Sequence, residues 1–213
     1  MKGDKKTDLL PIIEKLKRKR PLFHSEADFQ FALAWEIQCM NPAAEIRLEY
    51  PPESDPNKYI DIFVRNDSAA FPIELKYKTK RLSAIINDEQ YNLKNHGAQD
   101  LGAYDFIKDI CRIESFATHI NSFKRGYVLW LSNEPSYWRT PTRESAGYAA
   151  FSVHNGAMKT GSMKWAAHLS MGTTRGREQD LFLNGEYEII WKVYSDLGIA
   201  NGLFQYALLS VDF

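Results

Sequence analysis

The chain has little cysteine, no surplus charge of either sign and no long apolar run, and each shortage excludes something. Cys39 and Cys111 are its only thiols. Two cysteines build neither a disulfide framework nor a four-cysteine zinc site, so a reducing compartment is the simplest expectation. Lys plus Arg and Asp plus Glu both number 27, so a polyanionic partner would have to be met by local patches rather than by overall charge. No stretch approaches the roughly eighteen apolar residues of a membrane span. The N-terminal MKGDKKTDLLPIIEKLKRKR is charged and has no apolar region of signal-peptide type. The expectation is a soluble, cytoplasmic protein with no membrane partner. A Gly-rich phosphate loop, GxGxxG after a strand, HExxH and GxSxG are also missing. His24, His96, His119, His154 and His168 are scattered, without zinc-ligand spacing.

What remains is a chain of 213 residues, 44% hydrophobic and 25% charged, which suits a globular domain or a core with an appended region. Its most informative stretch is Lys58–Lys80, KYIDIFVRNDSAAFPIELKYKTK. Strand residues alternate faces, so Ile60, Ile62 and Val64 are expected on one side and Asp61 and Phe63 on the other. On a second arm Ile73, Leu75 and Tyr77 oppose Glu74, Lys76 and Lys78. Folding about Asp67-Ser68 sets Ile60 against Leu75, Ile62 against Ile73 and Asp61 against Glu74. A slip of one residue would reverse the faces of one arm. Two carboxylates opposed on a sheet repel unless a cation lies between them, which points to a metal site.

Around this hairpin, Asp8–Arg20 reads as an amphipathic helix ending in KLKRKR, either a solvated helix end or a phosphate-contacting patch. Ser25 is an N-cap for a helix from Glu26 to about Met40, with Leu33, Ile37 and Met40 on one stripe that Glu26 and Gln30 continue. AEIRLEYP is a strand. RLSAIINDEQYNLKNHG has no clean period and reads as a long connection of lid or binding-loop type. Residues 98–121 form a long helix whose buried side is Ala103, Phe106, Ile107, Ile110, Ile113 and Ile120. Its stripe of Asp105, Lys108, Asp109 and Arg112 is expected to face solvent. GYVLWLSN is a strand buried on both faces. Beyond Glu134 the pattern weakens, with short elements at GYAAFSVHN and SMKWAAHLSM and two β-like runs, YEIIWKVYS and LFQYALLSV.

Asp61, followed by Glu74-Leu75-Lys76 on the next strand, resembles the PD-(D/E)xK nucleases, the restriction-endonuclease-like superfamily. The order helix, three strands, helix, strand over residues 22–133 is similar to that family's core. The residue before Asp61 is Ile60 rather than proline, and Gln99 and Tyr104 stand five apart where some branches have Gln and Tyr four apart. The resemblance implies an α/β fold, an α+β mixed sheet with an α-β-β-β-α-β core at 22–133. Residues 1–21 would be a helical extension and 134–213 a C-terminal β-rich extension of the same domain. It also implies that Asp61 and Glu74, with the Leu75 carbonyl, ligate Mg²⁺ (Mn²⁺ substituting), that Lys76 orients and helps activate water, and that Glu26 is an additional acid. Lys78, Lys80 and Arg81 are expected to contact nucleic-acid phosphates, and Arg175 and Arg177, with Tyr137, Trp138 and Arg139, to aid DNA recognition. The implied function is a DNA endonuclease of a prokaryotic restriction, defence or repair system, acting as a homodimer or with a recognition subunit. The alternative is a noncatalytic nucleic-acid-binding or assembly module.

Overall fold

In the computed structural model, the described residues are 8–52, 58–66, 69–120, 122–142, 147–169, 172 and 174–212. Helix α1 (Leu9–Lys19) is capped by Asp8, whose carboxylate accepts from Leu10 N, and α2 (Glu26–Met40) by Ser25, which accepts from Asp28 N. Then follow β1 (Glu45–Tyr50), β2 (Ile60–Asn66), β3 (Ala69–Lys78), a small hairpin of β4 (Leu82–Ile86) and β5 (Glu89–Leu93), α3 (Gln99–His119) and β6 (Arg125–Ser132). A 3-10 turn at Ala149–Phe151 precedes β7 (Ala157–Met163), β8 (Leu181–Ile189), β9 (Trp191–Asp196) and β10 (Leu203–Asp212).

The result is a mixed α+β fold built on a six-stranded mixed sheet in the order β1-β2-β3-β6-β10-β9. Only β3 and β6 run parallel. Parallel neighbours need a crossover, which α3 supplies. Two cores flank the sheet. One joins α1 and α2 to Ile73, Leu75 and Tyr77, and the other joins α3 and the β7–β8 hairpin to Val128, Trp130 and Val211. The run GYVLWLSN is apolar throughout because β6 is central: Tyr127, Leu129 and Leu131 enter the first core, Val128 and Trp130 the second. Gly126 lets α3 approach, since a Cβ there would lie 2.1 Å from Ile113 Cγ2.

The β2–β3 ladder pairs Ile62 with Ile73, Val64 with Phe71 and Asn66 with Ala69 in the expected register, but it stops there, without the expected pairs Ile60–Leu75 and Asp61–Glu74. Its turn, Asp67-Ser68, lies outside the described residues. One expectation fails at the other end. Ile60 does not share a face with Ile62 and Val64; it packs on the α3 side with Phe63. Beside it on β1, Glu49 takes a left-handed backbone (φ 49°), and Tyr50 stacks on Phe63 at 4.3 Å. Both strands therefore reverse their alternation here, and Asp61 sits at the bend.

Other differences have local causes. Met40 is 39% exposed, and the buried side of α2 is Phe29, Leu33, Ala34, Glu36 and Ile37. Glu36 is tolerated there because Lys15 and Lys19 reach it at 2.7 and 2.6 Å. Residues 82–93 are a hairpin rather than an aperiodic loop. Asn87 and Asp88 both have positive φ (52° and 65°), the two-residue turn that matches strand twist. YEIIWKVYS is divided at Ile190 between β8 and β9, which belong to different sheets.

Candidate functional site: an acid and base cluster at the end of β3

Glu74 and Lys76 lie on the α3 face of β3, and α3 places Asp109 and Arg112 against them. Arg112 meets both oxygens of Glu74 at 3.1 Å. Lys76 Nζ lies 2.5 Å from Asp109 Oδ2, and Arg112 also reaches Asp109 Oδ1 at 3.6 Å. The expected solvated stripe is thus corrected. Asp109 is only 4% exposed, and the stripe's Asp105 holds Arg177 through two bonds of 2.7 Å. A signal was present in the sequence. Asp109 falls three residues after Phe106 and four before Ile113, inside the apolar stripe, where a helical neighbour is necessarily core-facing.

Asp61 joins the cluster from the bend in β2. Its Oδ2 accepts from Leu75 N at 2.5 Å, and its own carbonyl accepts from Gln30 Nε2 at 2.7 Å. Gln30 Nε2 also donates to Glu49 Oε1. Glu26, in the first turn of α2, accepts from Tyr77 N at 2.6 Å, so two residues of α2 tie that helix to the strands bearing the acids. The Leu75 carbonyl accepts weakly from Lys76 Nζ at 3.4 Å. Glu26, Asp61, Glu74, Leu75 and Lys76 are therefore brought to one end of β3.

The electrostatics are those of acids crowded with too little positive charge. Burial pushes the Asp61 carboxyl up to about 6, aided by Asp109 and Glu26 and opposed by the Leu75 N–H and Lys76. Burial, then Asp109 and Asp61, hold Glu74 well above the usual carboxylate range against the pull of Arg112. Burial also raises Asp109, opposed by Lys76 and Arg112. Burial pulls the Lys76 ammonium down, but Asp109, Glu26 and Asp61 together raise it further. Lys76 is therefore a fixed cation near neutral pH.

The basic residues expected beyond β3 separate. Lys78 lines a cleft of about 340 Å³ beside Glu26, whereas Lys80 leans toward Glu134 at 3.9 Å and Arg81 is exposed. Tyr137 is buried at 3% exposure, the half-buried Trp138 packs on Trp191 at 5.7 Å, and Arg177 is engaged by Asp105. Arg139 lines a separate cleft of about 460 Å³ near the start of α3, away from the acid cluster. Among the described residues no three His, Cys, Asp or Glu side chains converge as a metal cage. The ligand set expected from the sequence has two carboxylates and a carbonyl. Among the described residues no helix is long and apolar enough to cross a membrane.

Comparison with known proteins gives no match: no family model, no curated protein and no solved structure matches the chain.

Proposed function

We propose that the chain is a Mg²⁺-dependent phosphodiesterase that hydrolyses DNA, of restriction-endonuclease-like type, serving a prokaryotic restriction, defence or repair system. One observation carries this reading: among the described residues, the charges of Glu26, Asp61, Glu74 and Asp109 are met at this end of β3 by two cations, Lys76 and Arg112, although no three of these carboxylates converge as a cage. A divalent cation would restore neutrality, and an all-oxygen donor set suits a hard ion such as Mg²⁺ or Mn²⁺. The residues fit the ion in this sense, with Asp61, Glu74 and the Leu75 carbonyl as its holders. When bound, it would supply charge neutralisation at a phosphate and a water of lowered pKa. The order α2, β1, β2, β3, α3, β6, with the β4–β5 hairpin inserted before α3, is compatible with the α-β-β-β-α-β core that the resemblance implies.

The chain's own residues have distinct roles in this reading. Lys76, held as an ammonium by Asp109, presents positive charge and a donor to a phosphate oxygen or to the attacking water, and does not act as the base. Gln30 and Glu26 position the acids by fixing the Asp61 carbonyl and the Tyr77 N–H. Arg112 neutralises Glu74 through its two contacts of 3.1 Å, and a bound cation would share that carboxylate with it.

Incubating the protein with plasmid and linear DNA in Mg²⁺ or Mn²⁺ tests the proposal. Cleavage is expected for the wild type and lost in Asp61→Asn and Lys76→Ala; cleavage that persists in both variants refutes the assignment. A second reading has its own support. The pairs Glu74–Arg112 and Lys76–Asp109 are satisfied internally, as a noncatalytic binding or assembly module would require. That reading predicts salt-sensitive DNA binding, unchanged by Lys76→Ala, with no cleavage.

A further inference from the structure

Beside the acid cluster, a cleft of about 340 Å³ opens between the N-terminus of α2 and the β4–β5 hairpin, and its chemistry is the opposite of its neighbour's. Its walls carry Lys78 from the end of β3, Lys94 and His96 from the segment after β5, and His24 and Ser25 from the approach to α2. Among the described residues neither the Lys78 nor the Lys94 ammonium has an ion-pair or hydrogen-bond partner, although most other cations near the site are engaged.

His96 is held in place as a donor. Its Nδ1 accepts from Thr79 N at 2.9 Å and lies 3.1 Å from Thr79 Oγ1. A backbone N–H can only donate, so Nδ1 is the unprotonated nitrogen and Nε2 carries the proton. The Thr79 hydroxyl donates to the Lys94 carbonyl at 2.8 Å, which anchors the backbone that carries Lys94 and His96 against β3. His24 stacks on Tyr91 at 4.3 Å and bonds to Glu89 at 2.7 Å, closing the outer wall. The one carboxylate in the lining, Glu26, is turned into Tyr77 N. Two lysines without ion-pair partners among the described residues, a histidine with a fixed Nε2–H and a serine thus line one small volume. Donors outnumber the single carboxylate in this lining, which suits a tetrahedral oxyanion.

We infer that this cleft binds a phosphate group, held by Lys78, Lys94 and the Nε2–H of His96. That the phosphate belongs to a nucleic-acid strand, lying one step along from the phosphate at Lys76, rests on the function proposed above; the affinity of the cleft for phosphate does not. The β4–β5 hairpin is then a substrate-binding arm joined to β3 through Thr79, so that the strand bearing Glu74 and Lys76 also fixes the neighbouring phosphate.

The test is binding without catalysis. Fluorescence anisotropy of a labelled single-stranded oligonucleotide is measured in EDTA across a salt series, with inorganic phosphate as competitor. The variants are Lys78→Gln/Lys94→Gln and a control of equal charge, Lys164→Gln/Lys192→Gln, whose lysines lie outside the cleft. All four side chains are partly or fully exposed, and thermal melts verify folding. Each cleft lysine contributes a charge-assisted contact, so the cleft double variant should bind about 100-fold more weakly. Its log–log salt slope should fall by about 0.7, the share of one neutralised phosphate on a single strand. The control should match the wild type, and inorganic phosphate should compete only when the cleft lysines are present. Equal losses in cleft and control variants, or no competition by phosphate, would overturn the inference. Oligonucleotides with and without terminal phosphates separate the sources: a gain from a terminal phosphate marks a monoester, and equal binding marks an internal diester. Cleavage in Mg²⁺ is read separately, so an enzyme that cuts DNA yet binds it unchanged in the cleft variant refutes the cleft alone.

Discussion

Replacing Asp61 by Asn should make the protein more stable at neutral pH while removing its proposed function. The Asp61 carboxyl is raised from 3.8 to about 6, chiefly by burial. At about 1.4 kcal/mol for each pH unit, that rise corresponds to about 3 kcal/mol. The folded state holds this proton to higher pH than the unfolded state. Its stabilising effect is therefore full below about 3.8 and is lost as pH rises through about 6. Asn retains an oxygen to accept from Leu75 N but brings an amide N–H₂ that needs partners, at a cost of about 1 kcal/mol. The net gain above pH 6 is about 2 kcal/mol, or roughly 4–8 °C in Tm for a domain of this size. Thermal unfolding in EDTA, followed by circular dichroism from about pH 4 to pH 8, measures it. The wild type should lose stability relative to the variant across this window, and at the acid end the order should reverse, with the variant less stable by about 1 kcal/mol. A variant less stable than wild type at pH 7, or a constant difference at every pH, refutes the reasoning.

Two further substitutions probe how the site is held. Arg112→Met leaves Glu74 buried opposite an apolar side chain and should cost about 3–5 kcal/mol at neutral pH. Adding Glu74→Leu should recover most of that loss in urea unfolding, whereas additive losses would show that the pair is not coupled. Gly126→Ala forces a methyl group into Ile113 and should lower stability by about 1–3 kcal/mol; an unchanged midpoint would place α3 further from β6 than described.

The hairpin register was legible because both faces were patterned and only one pairing satisfied them. The same patterning exposed the doubly buried β6. The bend at Asp61 was not legible: it depends on Glu49 adopting a left-handed backbone on a neighbouring strand, and a glutamate gives no local sign of that. Asp109 was legible from its place between Phe106 and Ile113, whereas its partner Arg112 was not. A charged stripe on a helix ordinarily faces water, and only the presence of Glu74 and Lys76 on the facing side of β3 makes burial of these charges tolerable. The β4–β5 hairpin is not marked in the sequence because its turn is Asn-Asp, without the glycine that usually signals one. The C-terminal strands were blurred because β8 and β9 are nearly contiguous but serve different sheets, a decision made by tertiary packing.

The most direct measurement is a Mn²⁺ titration by isothermal calorimetry near pH 6, in two buffers of different ionisation enthalpy, on wild type and Asp61→Asn. The wild type should bind Mn²⁺ at a saturable site and release protons, because the ion displaces the proton that Asp61 retains up to about pH 6. The variant should lose that site and the buffer dependence with it. Mn²⁺ binding that is absent from the wild type, or unaltered by Asp61→Asn, would contradict the claim that this acid cluster is built around a divalent cation.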